Sequence, residues 1–227
     1  MSDYSAIIVT LKLALTTGVI LMVIGMPLAW WLARPSTSLL KNKIRPLIEA
    51  IVALPLVLPP TVLGFYLLIA FSPDNWLGAG WLNITGTTLA FSFSGLVIGS
   101  LIYSLPFVIQ PLQATFAAIP QATLEVSASL GANKIEQFKR VVLPLSKTGL
   151  ISAFSLGFAH TLGEFGVVLM IGGNIKDETR VVSIAIYDHV ETLQFNDAHQ
   201  LSLILIAFSL ALLTLLYRSK HNRVGFY

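Results

Sequence analysis

The sequence lacks cysteine and is poor in charge. None of its 227 residues is Cys, which excludes disulfides, thiolate metal sites and cysteine nucleophiles. Only 11% of the residues are charged, against about 25% in an ordinary soluble domain. Hydrophobic residues make up 55% of the chain, and the mean hydropathy is +0.80. A soluble fold of this length cannot bury that much apolar surface, so the composition predicts an all-α integral membrane protein.

Motifs for catalysis are also missing. The chain contains no Gly-Lys dipeptide, so it has no phosphate-binding P-loop and cannot itself be an ATPase. Its four histidines are scattered without a zinc-binding spacing, and no GxSxG elbow is present. We therefore predict no catalytic residue, no metal site and no cofactor bound by this chain.

Long apolar segments are what the sequence does contain. About 20 apolar residues are needed to cross the hydrocarbon core. Five segments qualify, and the rest of residues 1–227 shows no second domain. The segments are residues 13–33, 50–73, 88–115, 143–171 and 200–217. A cytoplasmic loop at about 118–144 and an outer loop at about 172–199 separate the later ones. In the outer loop, residues 181–190 could form a short amphipathic helix or a solvated loop.

The cationic residues predict the orientation, because Lys and Arg collect on the cytoplasmic side. Eleven of the fourteen fall on one side of the five segments: Arg34, Lys41, Lys43, Arg45, Lys134, Lys139, Arg140, Lys147, Arg218, Lys220 and Arg223. Lys12, Lys176 and Arg180 fall on the other. The amino terminus is thus predicted outside and the carboxyl terminus inside.

Three prolines interrupt the second segment. Pro55, Pro59 and Pro60 each lack a backbone N–H, so each leaves one backbone carbonyl without its helical partner, and lipid cannot satisfy that carbonyl. Thr61 follows the last of these prolines. The segment must therefore face other helices or a water-filled path. We favour a hinge or lining element of a translocation path over a purely structural kink.

Three ionisable residues lie within the fourth segment: Lys147 near its cytoplasmic start, and His160 and Glu164 further along. His160 and Glu164 are four residues apart, on one face of a helix, with Gly163 beside them. An ionisable residue in a span suggests a functional site, here an outer gate or a contact for a binding protein. Glu164 is 20 residues beyond Pro144, about 30 Å of helical rise, so an interfacial carboxylate is the alternative. Small polar residues, Ser100 and Ser104 among them, are expected to line the path weakly.

The cytoplasmic loop has its own pattern. Pro120 stands where a helix would start, Glu125 lies in its early turns, and Gly131 permits a sharp turn. A second short helix and Pro144 at the entry to the membrane follow. A long loop of this kind is commonly functional, although an amphipathic loop packed on the bundle is equally compatible.

The same loop resembles the coupling loop of ABC-importer permeases. Its pattern is Glu-Ala-Ala, three residues, Gly, nine residues and Ile-x-Leu-Pro. Glu125, Gly131, Leu143 and Pro144 fall on this spacing, with Val141 for isoleucine and Val126-Ser127 for the two alanines. The resemblance implies contact with an ATPase subunit through the loop. The implied coupling residues are Glu125, Ser127, Gly131, Ala132, Phe138, Leu143 and Pro144.

Two further stretches resemble the molybdate branch of these permeases. They are residues 54–64 (LPLVLPPTVLG) and 162–166 (LGEFG), the latter followed by Asn174 and the tripeptide Glu178-Thr179-Arg180. Sulfate and thiosulfate permeases share parts of this pattern.

The resemblance implies a type I ABC-importer transmembrane domain in the bacterial inner membrane. It would act as a homodimer with two ATPase subunits, which hold ATP and Mg²⁺, and with an outer substrate-binding protein. Its partners would include lipid but no nucleic acid, and its cargo would be a tetrahedral oxyanion, molybdate or tungstate. A sulfate permease is the near alternative. More distant ones are an ion-coupled secondary transporter that uses His160 and Glu164 as a proton relay, and an intramembrane enzyme.

Single cysteines test the predicted topology, since the chain has none of its own. In intact cells, Asn75→Cys and Thr192→Cys should react with a membrane-impermeant maleimide, whereas Ser38→Cys and Lys220→Cys should react only after lysis. The physical reason is the cationic bias, which holds the second pair in the cytoplasm. External labelling at position 38 would contradict the five-span arrangement.

Overall fold

A computed structural model describes residues 4–34 and 39–221. All regular secondary structure in these two ranges is helical, which confirms the all-α class. The helices are α1 (Tyr4–Ala33), α2 (Leu39–Val57), α3 (Pro60–Phe71), α4 (Trp76–Thr85), α5 (Phe93–Ala117), α6 (Gln121–Ser129), α7 (Lys134–Gln137), α8 (Leu143–Leu145), α9 (Lys147–Leu162), α10 (Gly166–Gly172), α11 (Val182–Glu191) and α12 (Phe195–His221). A π-helical segment, Phe138–Val142, joins α7 to α8. Ser38, chosen above for cysteine labelling, and Arg223, counted above among the cytoplasmic cations, lie outside the described residues.

The described residues contain two kinds of candidate membrane span, single long helices and bent helix pairs. Within the described residues, α1, α5 and the first 21 residues of α12 are each long and apolar enough to cross a bilayer alone. Two bent helix pairs meet the same criterion only when each pair is taken together: residues 43–57 with α3 at 111°, and residues 134–145 with α9 at 77°. The described residues therefore contain three to five candidate spans, and each overlaps one of the predicted apolar segments.

The core is built around α1, α5 and α9, which pack against one another. Two apolar clusters fill the bundle, one towards each end. The first contains Leu13, Phe71, Leu96, Val167, Ile171 and Ile184. The second contains Leu21, Val108, Leu112, Phe116, Val142 and Ala153. Since lipid solvates the outer faces, large apolar side chains are also exposed along α1, α3 and α12, as expected for a membrane protein.

The second and fourth segments are both interrupted. The second segment breaks at Leu58–Pro59, where proline cannot continue the hydrogen-bond ladder. The fourth segment, predicted as residues 143–171, bends at Ser146 and ends at Leu162 before α10 begins at Gly166. A helical count cannot locate the break after Leu162, because no proline marks it.

Local hydrogen bonds define where the third span and the helix of the outer loop begin. The third span begins at Phe93 instead of residue 88, because Ser92 is extended and its Oγ accepts from the Gly95 N–H. The short helix α4 precedes it. Of the two alternatives for residues 181–190, the helix is confirmed as α11. Its first N–H, that of Val182, donates to Thr10 Oγ1 at 2.8 Å, and its buried face packs on α12 and α1.

Cationic side chains close the helix ends on the predicted cytoplasmic side. The Arg34 guanidinium donates to the carbonyls of Phe116 at 3.0 Å and Ile119 at 3.3 Å. Arg45 donates to the Trp31 carbonyl at 2.8 Å. Both guanidiniums therefore bond to carbonyls near helix C-termini, where the helix dipole favours a cation.

Candidate functional site

A cavity of about 610 Å³ lies where the two broken spans meet. It collects five of the seven residues predicted to line a path or gate. Its walls are Pro60, Thr61, Tyr103, Ala159, His160, Gly163, Glu164, Phe165, Gly166, Leu169 and Met170. The two remaining residues of that prediction, Pro55 and Pro59, are not in this wall.

The prolines of the second span have different positions. Pro55 is buried inside α2, and the helix continues past it to Val57. Pro59 is the N-cap of α3 and Pro60 its first residue, a position where the missing N–H costs nothing. The break therefore lies at Pro59, and only Pro60 and Thr61 reach the cavity.

The two breaks are in direct contact. A Cβ added at Gly166, the first residue of α10, would lie 2.8 Å from Pro60 Cβ, closer than carbon atoms pack. Only glycine lets the start of α10 come this close to the start of α3. The two breaks therefore form one continuous wall of the cavity.

Glu164 is buried at the break between α9 and α10. Its side chain is 1% exposed, and both carboxylate oxygens accept hydrogen bonds from α5: Oε2 from Ser100 Oγ at 2.5 Å and Oε1 from Ser104 Oγ at 2.6 Å. Its backbone carbonyl accepts from Ser183 Oγ, next to the start of α11. One residue thus ties the break to two other helices.

Glu164 is therefore not an exposed carboxylate at the end of a helix, and the straight-helix count used for its depth does not hold. The count from Pro144 assumed one straight helix, whereas α9 has only 16 residues, about 24 Å of rise, and meets the preceding helix at 77°. Buried carboxylates require partners, and two serines that were expected to line the path weakly provide them. Ser100 and Ser104 are 0% exposed and do not line the cavity.

The imidazole of His160 is held on its face and on one edge. Its ring stacks on Phe107 with centroids 3.7 Å apart and 23° between planes, and lies 4.8 Å from the Tyr103 ring. Nδ1 is 2.9 Å from Ser104 Oγ and 3.5 Å from Glu164 Oε1. The side chain is 17% exposed, and its ring borders the cavity.

A second cavity, of about 380 Å³, lies on the other side of Phe107. It is lined by Leu56, Pro106, Phe107, Gln110, Pro111, Ala114 and Leu156. Phe107 borders this cavity and stacks on His160, which borders the first, so the two cavities are lined by neighbouring side chains. The sequence prediction missed Tyr103 and Phe107. Their spacing of four on an apolar helix also fits ordinary core packing.

The predicted coupling loop forms the expected short helices. Gly131 lies between α6 and α7 with a φ of +86°, and the space around it is open. Asn133 and Glu136 then form a capping box that starts α7. Phe138 packs edge-on against Trp30 and Phe116, with centroids 5.6 and 6.0 Å apart, which fixes the loop to the bundle.

The other proposed coupling residues surround this turn. Ser127 is half-buried, with its Oγ bonded to the Leu124 carbonyl at 2.7 Å, and its own carbonyl accepts from the Ala132 N–H at 3.1 Å. Glu125 is exposed, and Leu143 and Pro144 begin the single turn of α8. Three large apolar side chains project from the same loop: Val126 (61% exposed), Leu130 (84%) and Ile135 (67%). Among the described residues, no group of three His, Asp or Glu side chains could hold a metal.

Known proteins resemble the chain along its whole length. Residues 25–222 match the family described as binding-protein-dependent transport system inner membrane component. A molybdenum transport system permease protein of Azotobacter vinelandii is 50% identical over 98% of this chain and 96% of its own. Its counterpart in Escherichia coli K12 is 29% identical over 94% and 91%. A probable sulfate transport system permease of Nephroselmis olivacea is 31% identical over 92% and 72%.

Solved structures share the fold at low identity. The methionine ABC transporter MetNI, in an inward-facing conformation, matches with a TM-score of 0.74 at 18% identity, covering 96% of this chain and 94% of that one. A bacterial alginate ABC transporter in complex with its periplasmic protein matches with a TM-score of 0.78 at 15% identity, covering 99% and 80%.

Proposed function

The chain belongs to the family of inner membrane components of binding-protein-dependent transport systems, and we propose that it is the permease subunit of a molybdate importer. It is a multi-pass protein of the inner membrane and a permease, not an enzyme. The observation that carries the choice of cargo is the 50% identity to a molybdenum permease over nearly the whole chain. The sulfate relative reaches 31%.

The cavity at the two broken spans is the proposed entry to the path. Irregular backbone is tolerated at membrane depth only where it is buried in protein or lines a water-filled cavity, and residues 163–165 line this cavity together with Pro60. Pro60, Thr61, His160, Gly163 and Glu164 are the proposed lining and gate residues. Pro55 and Pro59 would act one step away, by setting the angle of the hinge.

The partners follow from the same family. We propose a homodimer, because one set of five spans cannot readily enclose an anion path. An outer binding protein would deliver the oxyanion, and two cytoplasmic ATPase subunits would hold ATP and Mg²⁺. Val126, Leu130 and Ile135 form an exposed apolar patch on the coupling loop, of the kind that marks a protein interface. The ATPase subunit is its proposed occupant.

Competition for uptake tests the cargo. In proteoliposomes that contain the permease, its ATPase subunits and ATP, with the binding protein outside, unlabelled tungstate should compete with labelled molybdate. Excess sulfate should compete weakly. A preference for sulfate would contradict the assignment. The permease alone under a pH gradient serves as the control, and transport by it would support the secondary-transporter alternative.

Gly131 offers a matched pair of variants for the coupling loop. Gly131→Val should weaken co-purification of the ATPase and lower uptake by about tenfold, because a β-branched residue at positive φ costs about 1–2 kcal/mol. Gly131→Asn should stay close to wild type, since asparagine adopts this conformation readily and the space around the Cβ is open. Membrane level should be unchanged in both. If Gly131→Val retains wild-type ATPase co-purification and uptake, the loop is only a connector between helices.

A further inference from the structure

We propose that His160 is the residue of the path that binds the passing oxyanion, and that Glu164 and Ser104 hold its ring with Nε2 facing the cavity. The inference rests on the proposed function and assigns the anion contact within it. The ligand class is a tetrahedral oxyanion dianion. The juxtaposition that carries it is a buried carboxylate, a shared hydroxyl and an imidazole at the wall of the larger cavity.

Hydrogen-bond accounting assigns one proton of the imidazole. Ser104 Oγ has a single hydrogen, which it donates to Glu164 Oε1. Toward His160 Nδ1, 2.9 Å away, Ser104 can therefore only accept. Thr161 Oγ1, which also contacts Ser104, can give its own hydrogen to the Gly157 carbonyl. Nδ1 of His160 must then carry a hydrogen, and Nε2 is the nitrogen left for the cavity.

Charge balance explains why a carboxylate is found so near an anion path. In the imidazolium form both ring nitrogens donate, and the counter-ion is already in place, since Glu164 Oε1 lies 3.5 Å from Nδ1. Among the described residues that line the cavity, only Tyr103, His160 and Glu164 can ionise. The pair is neutral overall, so the site offers a donor to a dianion without the fixed positive charge that would trap it. Thr61 and Tyr103 add hydroxyl groups to the same wall.

Aromatic packing fixes the direction of that donor. The stacked Phe107 sets the plane of the ring and the bond from Nδ1 to Ser104 sets its rotation. Phe107 also borders the second cavity. An oxyanion held at Nε2 of His160 is therefore one side chain away from that cavity.

The test measures molybdate imported per ATP hydrolysed in the reconstituted complex, so that effects on the ATPase cancel. His160→Phe keeps an aromatic ring against Phe107 but has no nitrogen, and should lower this ratio by about tenfold, as expected for loss of a hydrogen bond to a charged group. His160→Gln keeps a donor and should retain a substantial part of it.

The outcomes separate the inference from the function on which it rests. If the wild-type complex moves no oxyanion, the proposed function fails. If the wild type transports and His160→Phe has the same ratio, only the inference is overturned. Equal loss in His160→Phe and His160→Gln would also overturn it and leave His160 with a packing role.

Discussion

The arrangement of the site depends on one buried carboxylate. Glu164 lies at an interruption of the fourth span, where the chain leaves α9 and has not yet entered α10. Its oxygens accept from Ser100 and Ser104 of α5, and its carbonyl accepts from Ser183. In a membrane, a broken helix is stable only if protein groups replace the lost backbone partners. Glu164 therefore connects the break to α5 and α11 beside the cavity, and its Oε1 lies 3.5 Å from His160 Nδ1.

The second break provides the opposite wall. Pro59 and Pro60 turn the chain by 111°, and Gly166 lets α10 rest directly on Pro60. Two interruptions, distant in sequence, thereby meet at one cavity, while α1, α5 and the length of α9 remain a packed bundle. A packed bundle whose two broken spans meet at one cavity is well suited to a permease whose path must alternate its access.

Sequence reasoning located what depends on composition and short-range chemistry. The apolar segments, the Pro59 break and the short helices around Gly131 all follow from hydrophobic length or from the φ preferences of proline and glycine. It could not place the break at Gly163, because no proline marks the end of α9, and it did not show that Glu164 is buried among other helices. Ser100 and Ser104 were noticed, but their partner is more than 50 residues away, and no local pattern reveals that contact. Tyr103 and Phe107 were missed because aromatic residues four apart are equally typical of a core.

The most direct measurement is a double-mutant cycle on the thermal unfolding of the purified permease complex. It combines Glu164→Met with the paired changes Ser100→Ala and Ser104→Ala. With Glu164 present, the serine changes remove two hydrogen bonds to a charged group, at about 1.5–3 kcal/mol each, and should lower the Tm clearly. With methionine at position 164 there is no carboxylate to satisfy, so the same changes should have little effect. An equal loss of Tm in both backgrounds would contradict the account, because it would mean that the serines stabilise the bundle independently of Glu164.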